Sequence, residues 1–320
     1  MIRLDIRYNE LEASLMPFVE EVEYHDMMAG EPSELKLTLC NADGRFTASA
    51  WSATCGDSLS LQWGTARPEP LAISGIGVER VPRLVIWVAR SIPVTSSAPS
   101  GRGGGTPPPA PGAFIDERRS WDTVQRVRLS EIARRVCSEC GLVLRYLSKS
   151  DPIIAQVARY NETGYHLIER LCRRYGLTVR STASEVQIIA RPGTMSAEAP
   201  VQATIELPRD RIISLRNVDS LPARSIKSVR RDPRSGDVIR RSVGSGDGLV
   251  IGLCYDIEDA EIYDEAVLDA QAERMSVYPD DRITAGTLVK TPYGLRVVTE
   301  MRYNRTGDSE TMELMTRAAR

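Results

Sequence analysis

The chain has 320 residues, 42% of them apolar and 26% charged, enough to bury a core in one large domain or in two or three ordinary ones. Lys and Arg number 41 against 43 Asp and Glu, a formal net charge of −2, so the overall balance singles out neither a nucleic-acid binder nor an anionic-membrane binder. The apolar runs at 84–89 and 249–254 are far shorter than a membrane helix, and Met1 to Arg7 alternates apolar with charged residues where a secretory signal would carry an apolar core, so neither a membrane span nor export is expected.

The first ninety or so residues read as β-structure. Glu34 to Leu39 alternates strictly and places Leu35, Leu37 and Leu39 on one face, and Asn41-Ala42-Asp43-Gly44 then supplies turn residues. Gly56 to Gly64 repeats the pattern, and Arg83 to Arg90 is a further apolar strand, a spacing that suits a barrel or small sandwich over 1–94. His25 reads as a surface or edge residue beside an alternating strand. Residues 95–112, rich in Pro, Gly and Ser, offer nothing to bury; with no strand running in and no Gly-Lys-Ser/Thr following, they read as part of a linker or exposed loop over 95–116 rather than a phosphate loop. Their shortening is therefore expected to leave the protein folded, because loop closure depends weakly on length; a soluble, cooperatively melting shortened variant is the check.

Helical periodicity begins next. Leu129, Ile132, Ala133, Val136, Cys137 and Cys140 form one stripe that ends at Gly141, a C-terminal stop. Cys137-Ser138-Glu139-Cys140 has the spacing of a metal or redox pair, but no second pair or neighbouring His follows, and both Cys fall on the apolar stripe. Leu142 to Tyr146 reads as a strand. A second helix runs from Gly164 to Tyr175 with Leu167, Ile168, Leu171 and Cys172 inward, Thr163 as N-cap and Gly176 as stop, leaving His166 toward solvent. Trp121, just ahead of the first helix, reads as a core residue. A hairpin over 177–180 and 185–190 completes a compact α/β module over 117–192, whose core is expected to be Leu129, Ile132, Val136, Leu167, Ile168 and Leu171.

From 193 to 320 the chain returns to β-structure, with a hairpin at 226–243, a short helix near 265–275 and closing strands at 286–290, 295–303 and 311–315. Charge is segregated: Arg209 to Arg241 carries a net +6 and Asp256 to Asp281 a net −9. Opposed blocks suit contacts between subunits, which makes Arg230, Arg231, Asp264 and Glu265 interface candidates.

Two stretches of the module resemble the phage late control gene D family, the baseplate or tail hub proteins of contractile phage tails and related injection systems. Ser120-Trp121, Leu129-Ser130-Glu131-Ile132-Ala133 and Gly141-Leu142 are similar to that family's Ser-Trp, Thr-Leu-x-x-Ile-Ala and Gly-Leu. Asn161 to Gly176 is similar, without a gap, to its Asn-Glu-Ser-Asp-x-x-Phe-Leu-x-Arg-Leu-Ala-x-Arg-His/Tyr-Gly. Arg128 stands in place of a Thr cap and Gly164 in place of an acidic residue. The resemblance implies an α+β, mostly β fold in which two tube-like antiparallel β-barrel domains bracket the α/β module. It implies a structural homotrimer that joins a hexameric tail tube to a trimeric central spike and meets other baseplate proteins. It also implies assembly in the bacterial host cytoplasm and residence in a virion or injection particle. No catalytic, cofactor-binding or metal constellation is read. A tail-associated cell-wall-binding or peptidoglycan-degrading protein is the alternative, and the charged rather than aromatic face of the twin helices speaks against wall binding.

Overall fold

In the first strands, alternation of apolar and polar residues decides which face is buried. β1 (Leu4–Tyr8), β2 (Val19–Met27), β3 (Glu34–Cys40), β4 (Ser58–Trp63), β5 (Glu69–Glu79) and β6 (Leu84–Arg90) turn Ile6, Val22, Leu35, Leu37, Leu39, Leu61, Val85 and Trp87 inward, all buried. The computed structural model describes residues 2–8, 14–28, 32–48, 51–65, 68–79, 84–91, 114, 117–181, 185–190, 204–217, 225–231, 238–244, 249–252 and 272–319. The 95–112 segment lies outside them. A short helix, α1 (Arg45–Ala48), follows the expected turn, where Gly44 takes φ +76°.

After the module, β12 (Thr204–Glu206), β13 (Ile212–Asn217), β17 (Glu273–Val277), β18 (Leu288–Thr291), β19 (Gly294–Thr306) and β20 (Ser309–Ala318) form a second set of six. Their order, β12-β18-β19-β20-β17-β13, repeats the first set's β1-β4-β5-β6-β3-β2 strand for strand. The repeat extends to registers. Leu37 lies between Val22 and Trp87, as Met275 lies between Leu215 and Leu314. The Gly56 N–H donates to the Ile73 carbonyl (2.8 Å) and the Gly286 N–H to the Val298 carbonyl (2.7 Å), with φ +101° and +90° at the two glycines. Ser74 Oγ donates to the Val88 carbonyl (3.2 Å) and Thr299 Oγ1 to the Met315 carbonyl (3.1 Å). One difference is that β1 pairs β4 antiparallel whereas β12 pairs β18 parallel. The two units join antiparallel through β2 and β19 into one twelve-stranded sheet over a shared core, with Trp63 edge-on to Tyr303 at 4.9 Å.

The mostly β, α+β class holds. Within the second β-region, β14 (Ser225–Arg231) and β15 (Val238–Gly244) pair as the expected hairpin, with β16 (Leu249–Gly252) parallel to β14. The helix expected near 265–275 falls mostly outside the described residues, but Glu273, Arg274 and Met275 open strand β17 instead. The alternation that buries Met275 and Val277 and places them beside β13 and β20 overrides their helix propensity.

The module has its own core. α2 (Leu129–Glu139) and α3 (Gly164–Arg174) bury Leu129, Ile132, Val136, Leu167, Ile168 and Leu171, none more than 2% exposed. Thr163 Oγ1 accepts from the His166 N–H (3.2 Å), capping α3, and Gly141 and Gly176 follow the two helices with φ +67° and +64°. Against the helices packs a sheet of β8 (Val143–Tyr146), β10 (Leu177–Ser181) and β11 (Glu185–Ala190), and also a two-stranded ribbon of β7 (Arg118–Arg128) and β9 (Ile153–Thr163). The ribbon was not expected from apolar alternation, because its exposed positions include Ile153 and Tyr160 while its inward face includes Arg159. That arginine is 1% exposed and pairs with Glu139 at 2.8 Å. Trp121 is half-buried against this core under the Arg135 guanidinium, 4.5 Å from the ring centre. At Gly164 an added Cβ would come within 2.8 Å of both Phe114 and Val136. Gly164→Ala is therefore expected to cost about 1–3 kcal/mol by overpacking, measured by urea denaturation.

Candidate assembly interface

The junction of the two β-units and the module is built on β2. Alternation turns Val22, Tyr24 and Asp26 inward, so a carboxylate occupies a core position, 1% exposed. Asp26 is satisfied from three parts of the chain. Ser33 Oγ donates to Oδ1 (2.8 Å), the Ala285 N–H of the second unit donates to Oδ2 (2.8 Å), and Arg180, on β10 of the module, reaches Oδ1 at 3.5 Å. Arg180 also stands 3.7 Å from Glu69, whose Oε2 accepts from the Tyr24 hydroxyl (3.4 Å). Burial raises the Glu69 carboxyl above its ordinary pKa, and burial first, then the neighbouring carboxylates, raises the Tyr24 phenol well above its own. The cluster fixes the module to the sheet.

On the opposite face of the same seam runs a band of paired charges. His25, in mid-sheet opposite Arg302 rather than at an edge, places Nε2 2.9 Å from Glu300, and Arg302 Nε lies 2.5 Å from the same carboxylate. Lys36 pairs with Glu23 (2.5 Å) and Arg90 with Glu34 (2.7 Å). Glu23, His25, Glu34, Lys36 and Arg302 border a polar hollow of about 380 Å³ that also touches Glu313. His25 first, and Arg302 with it, hold the Glu300 carboxyl at about 2. A carboxyl lowered on folding contributes stability above its unfolded pKa, near 4.3, that is lost as pH falls toward 2. Acid titration of stability is expected to lose part of its slope in that window in Glu300→Gln, by a modest amount because the pair is partly solvated.

Of the interface candidates, Arg230 and Arg231 end strand β14, whereas Asp264 and Glu265 lie outside the described residues. His166 is exposed on α3. Cys137 and Cys140 are buried; burial pushes the Cys137 thiol up to about 12 and raises that of Cys140, which suits packing rather than reactivity. Among the described residues no group of three or more His, Cys, Asp or Glu side chains could hold a metal ion, and no helix is long and apolar enough to cross a membrane. The junction residues Asp26, Glu69 and Arg180 were missed by sequence reading. The signal available was an Asp in an inward slot of the Val22, Tyr24, Asp26 alternation.

No protein-family model matches the chain. No curated protein matches it in sequence. Solved structures do share its fold over nearly its whole length. The 43 kDa tail protein of prophage MuSo2 from Shewanella oneidensis superposes with a TM-score of 0.70 at 12% identity, covering 99% of this chain and 98% of that one. A tail protein from Neisseria meningitidis gives 0.68 at 10% identity over 99% and 96%. The Escherichia coli c3393 protein, a component of the type VI secretion system described as structurally similar to T4 bacteriophage tail proteins gp27 and gp5, gives 0.56 at 11% identity over 97% and 76%.

Proposed function

We propose that this chain is a structural hub of a phage tail or related injection particle, a trimeric symmetry adaptor between a hexameric tail tube and a trimeric central spike, without turnover of its own. The observation that carries the reading is the strand-for-strand repeat of a six-stranded unit within one chain. A tube end has six equivalent positions and a spike three. Three copies of a chain with two equivalent units present six similar edges on one side while keeping threefold symmetry on the other, so closed symmetry removes the mismatch. The likeness in fold to tail proteins supports the setting. The polar cluster at Asp26 supports a rigid part: it ties both units and the module to one point.

Cryo-EM of the assembled particle tests the proposal. Three copies on the tail axis, between tube and spike, are expected. Six copies in a ring, or a place on the outer baseplate, would overturn it.

A further inference from the structure

The internal repeat leaves two strand edges unmatched. Within the chain, β2 of the first unit pairs with residues 300–306 of β19, the part of β19 that runs past β18. The strand equivalent to β19 is β5, and its last part, beyond residue 73, likewise runs past β4; among the described residues it pairs only with β6. The strand equivalent to β2 is β13, at the end of the sheet and, among the described residues, paired only with β17. Each chain thus makes this joint once and carries both halves of a second one, open.

Burial shows the open half directly. Met301 and Tyr303, which the joint covers, are 0% and 1% exposed. Their equivalents by register, Ile76 and Val78, are 41% and 61% exposed. The same positions of the same fold are core in one unit and surface in the other. Apolar residues on an unpaired strand edge invite pairing with another chain. The strand shaped for that place is the equivalent of β2, and this chain carries one at the far end of its sheet.

We propose that β5 of one copy pairs antiparallel with β13 of the next, repeating between copies the β2–β19 joint made within each. Carrying over the internal register, in which Tyr303 faces Tyr24 and Asn304 faces Glu23, sets Val78 opposite Asn217 and Glu79 opposite Arg216. The second pair has opposite charges. The contact is head to tail, so it propagates in one direction and forms a ring where the rotation between copies closes. That the ring closes at three copies rests on the proposed adaptor reading; the pairing itself rests on the repeat.

Cysteine cross-linking of the full chain tests it, because directly opposed residues of antiparallel strands lie within disulfide reach. Co-expressed V78C and N217C chains are expected to form a disulfide-linked dimer on oxidation, whereas each variant alone stays at the parental background set by the native cysteines. The V78C/N217C double variant is expected to link into trimers and no further. An oligomer of trimeric mass without this linkage would overturn the pairing and leave the adaptor reading standing. Linkage in an assembly of another size would keep the pairing and overturn the trimer. A chain that neither links nor associates would overturn the pairing. Independently, Val78→Asp, at an exposed position, is expected to keep parental circular dichroism and lose self-association; association at the parental level would also overturn it.

Discussion

Replacing Asp26 with alanine is expected to cost about 3–5 kcal/mol, the range for removing one partner of a buried charge pair. Asp26 is 1% exposed, and its loss leaves the Ser33 hydroxyl and the Ala285 N–H without their acceptor. Each orphaned buried donor costs about 1–3 kcal/mol. The Arg180 side chain, 31% exposed, recovers part of its own loss by turning to water, so the two neutral donors account for most of the effect. Asp26→Asn keeps an acceptor in place and should cost less than half as much. The measurement is the urea midpoint followed by tryptophan fluorescence; a shift under about 1 kcal/mol for Asp26→Ala would show that the cluster does not hold the junction.

Glu69, in the same cluster, should behave in the opposite way. Its carboxyl is raised by burial, so the folded state holds the proton more tightly than the unfolded one, and stability is lost as pH rises through the unfolded and then the folded pKa. Glu69→Gln removes that titration. At neutral pH it should therefore be close to neutral or mildly stabilising even though it deletes a partner of Arg180. Two carboxylates touching one guanidinium thus separate by their surroundings: Asp26 is fully hydrogen-bonded, whereas Glu69 Oε1 is buried without a partner.

The parts legible in the sequence were those where one local signal agrees with the packing. Both module helices announced themselves through apolar stripes, a Thr cap and terminal glycines, and β3, β4 and β6 through alternation or apolar runs. What stayed hidden depends on distant partners. β7 and β9 face water on one side and bury Arg159 on the other, so no apolar alternation marks them. The strand-for-strand repeat is carried by registers and by bonds such as Gly56 to Ile73 and Gly286 to Val298, not by residue identity, since Trp87 is matched by Leu314 and Tyr24 by Asn217. The junction depends on distant partners in the same way: Asp26, Glu69 and Arg180 are far apart in sequence, and only Asp26, in an inward slot of the β2 alternation, carries a local sign of burial.

Leu167→Ala is expected to cost about 2–5 kcal/mol, the sum of the lost transfer free energy and the cavity left behind. The upper part of that range is favoured by its site. Leu167 is 0% exposed on α3, within a cluster that includes Leu129, Ile132, Val136 and Tyr165, and the capped start of α3 is held in place by Thr163 and by the close approach of Gly164 to Phe114 and Val136. A backbone so fixed cannot move in to fill the void. Leu147→Ala, at 54% exposure, is the control and should change stability little. The chain's tryptophans separate the regions: Trp121 sits against the module, whereas Trp51, Trp63 and Trp87 sit in or against the β-core. In Leu167→Ala the Trp121 signal should move to lower urea, read as the difference between variants with and without Trp121→Phe. If the β-core signal shifts equally, the clamp of Arg180 on Asp26 makes module and sheet one cooperative unit; if it stays in place, the module unfolds on its own.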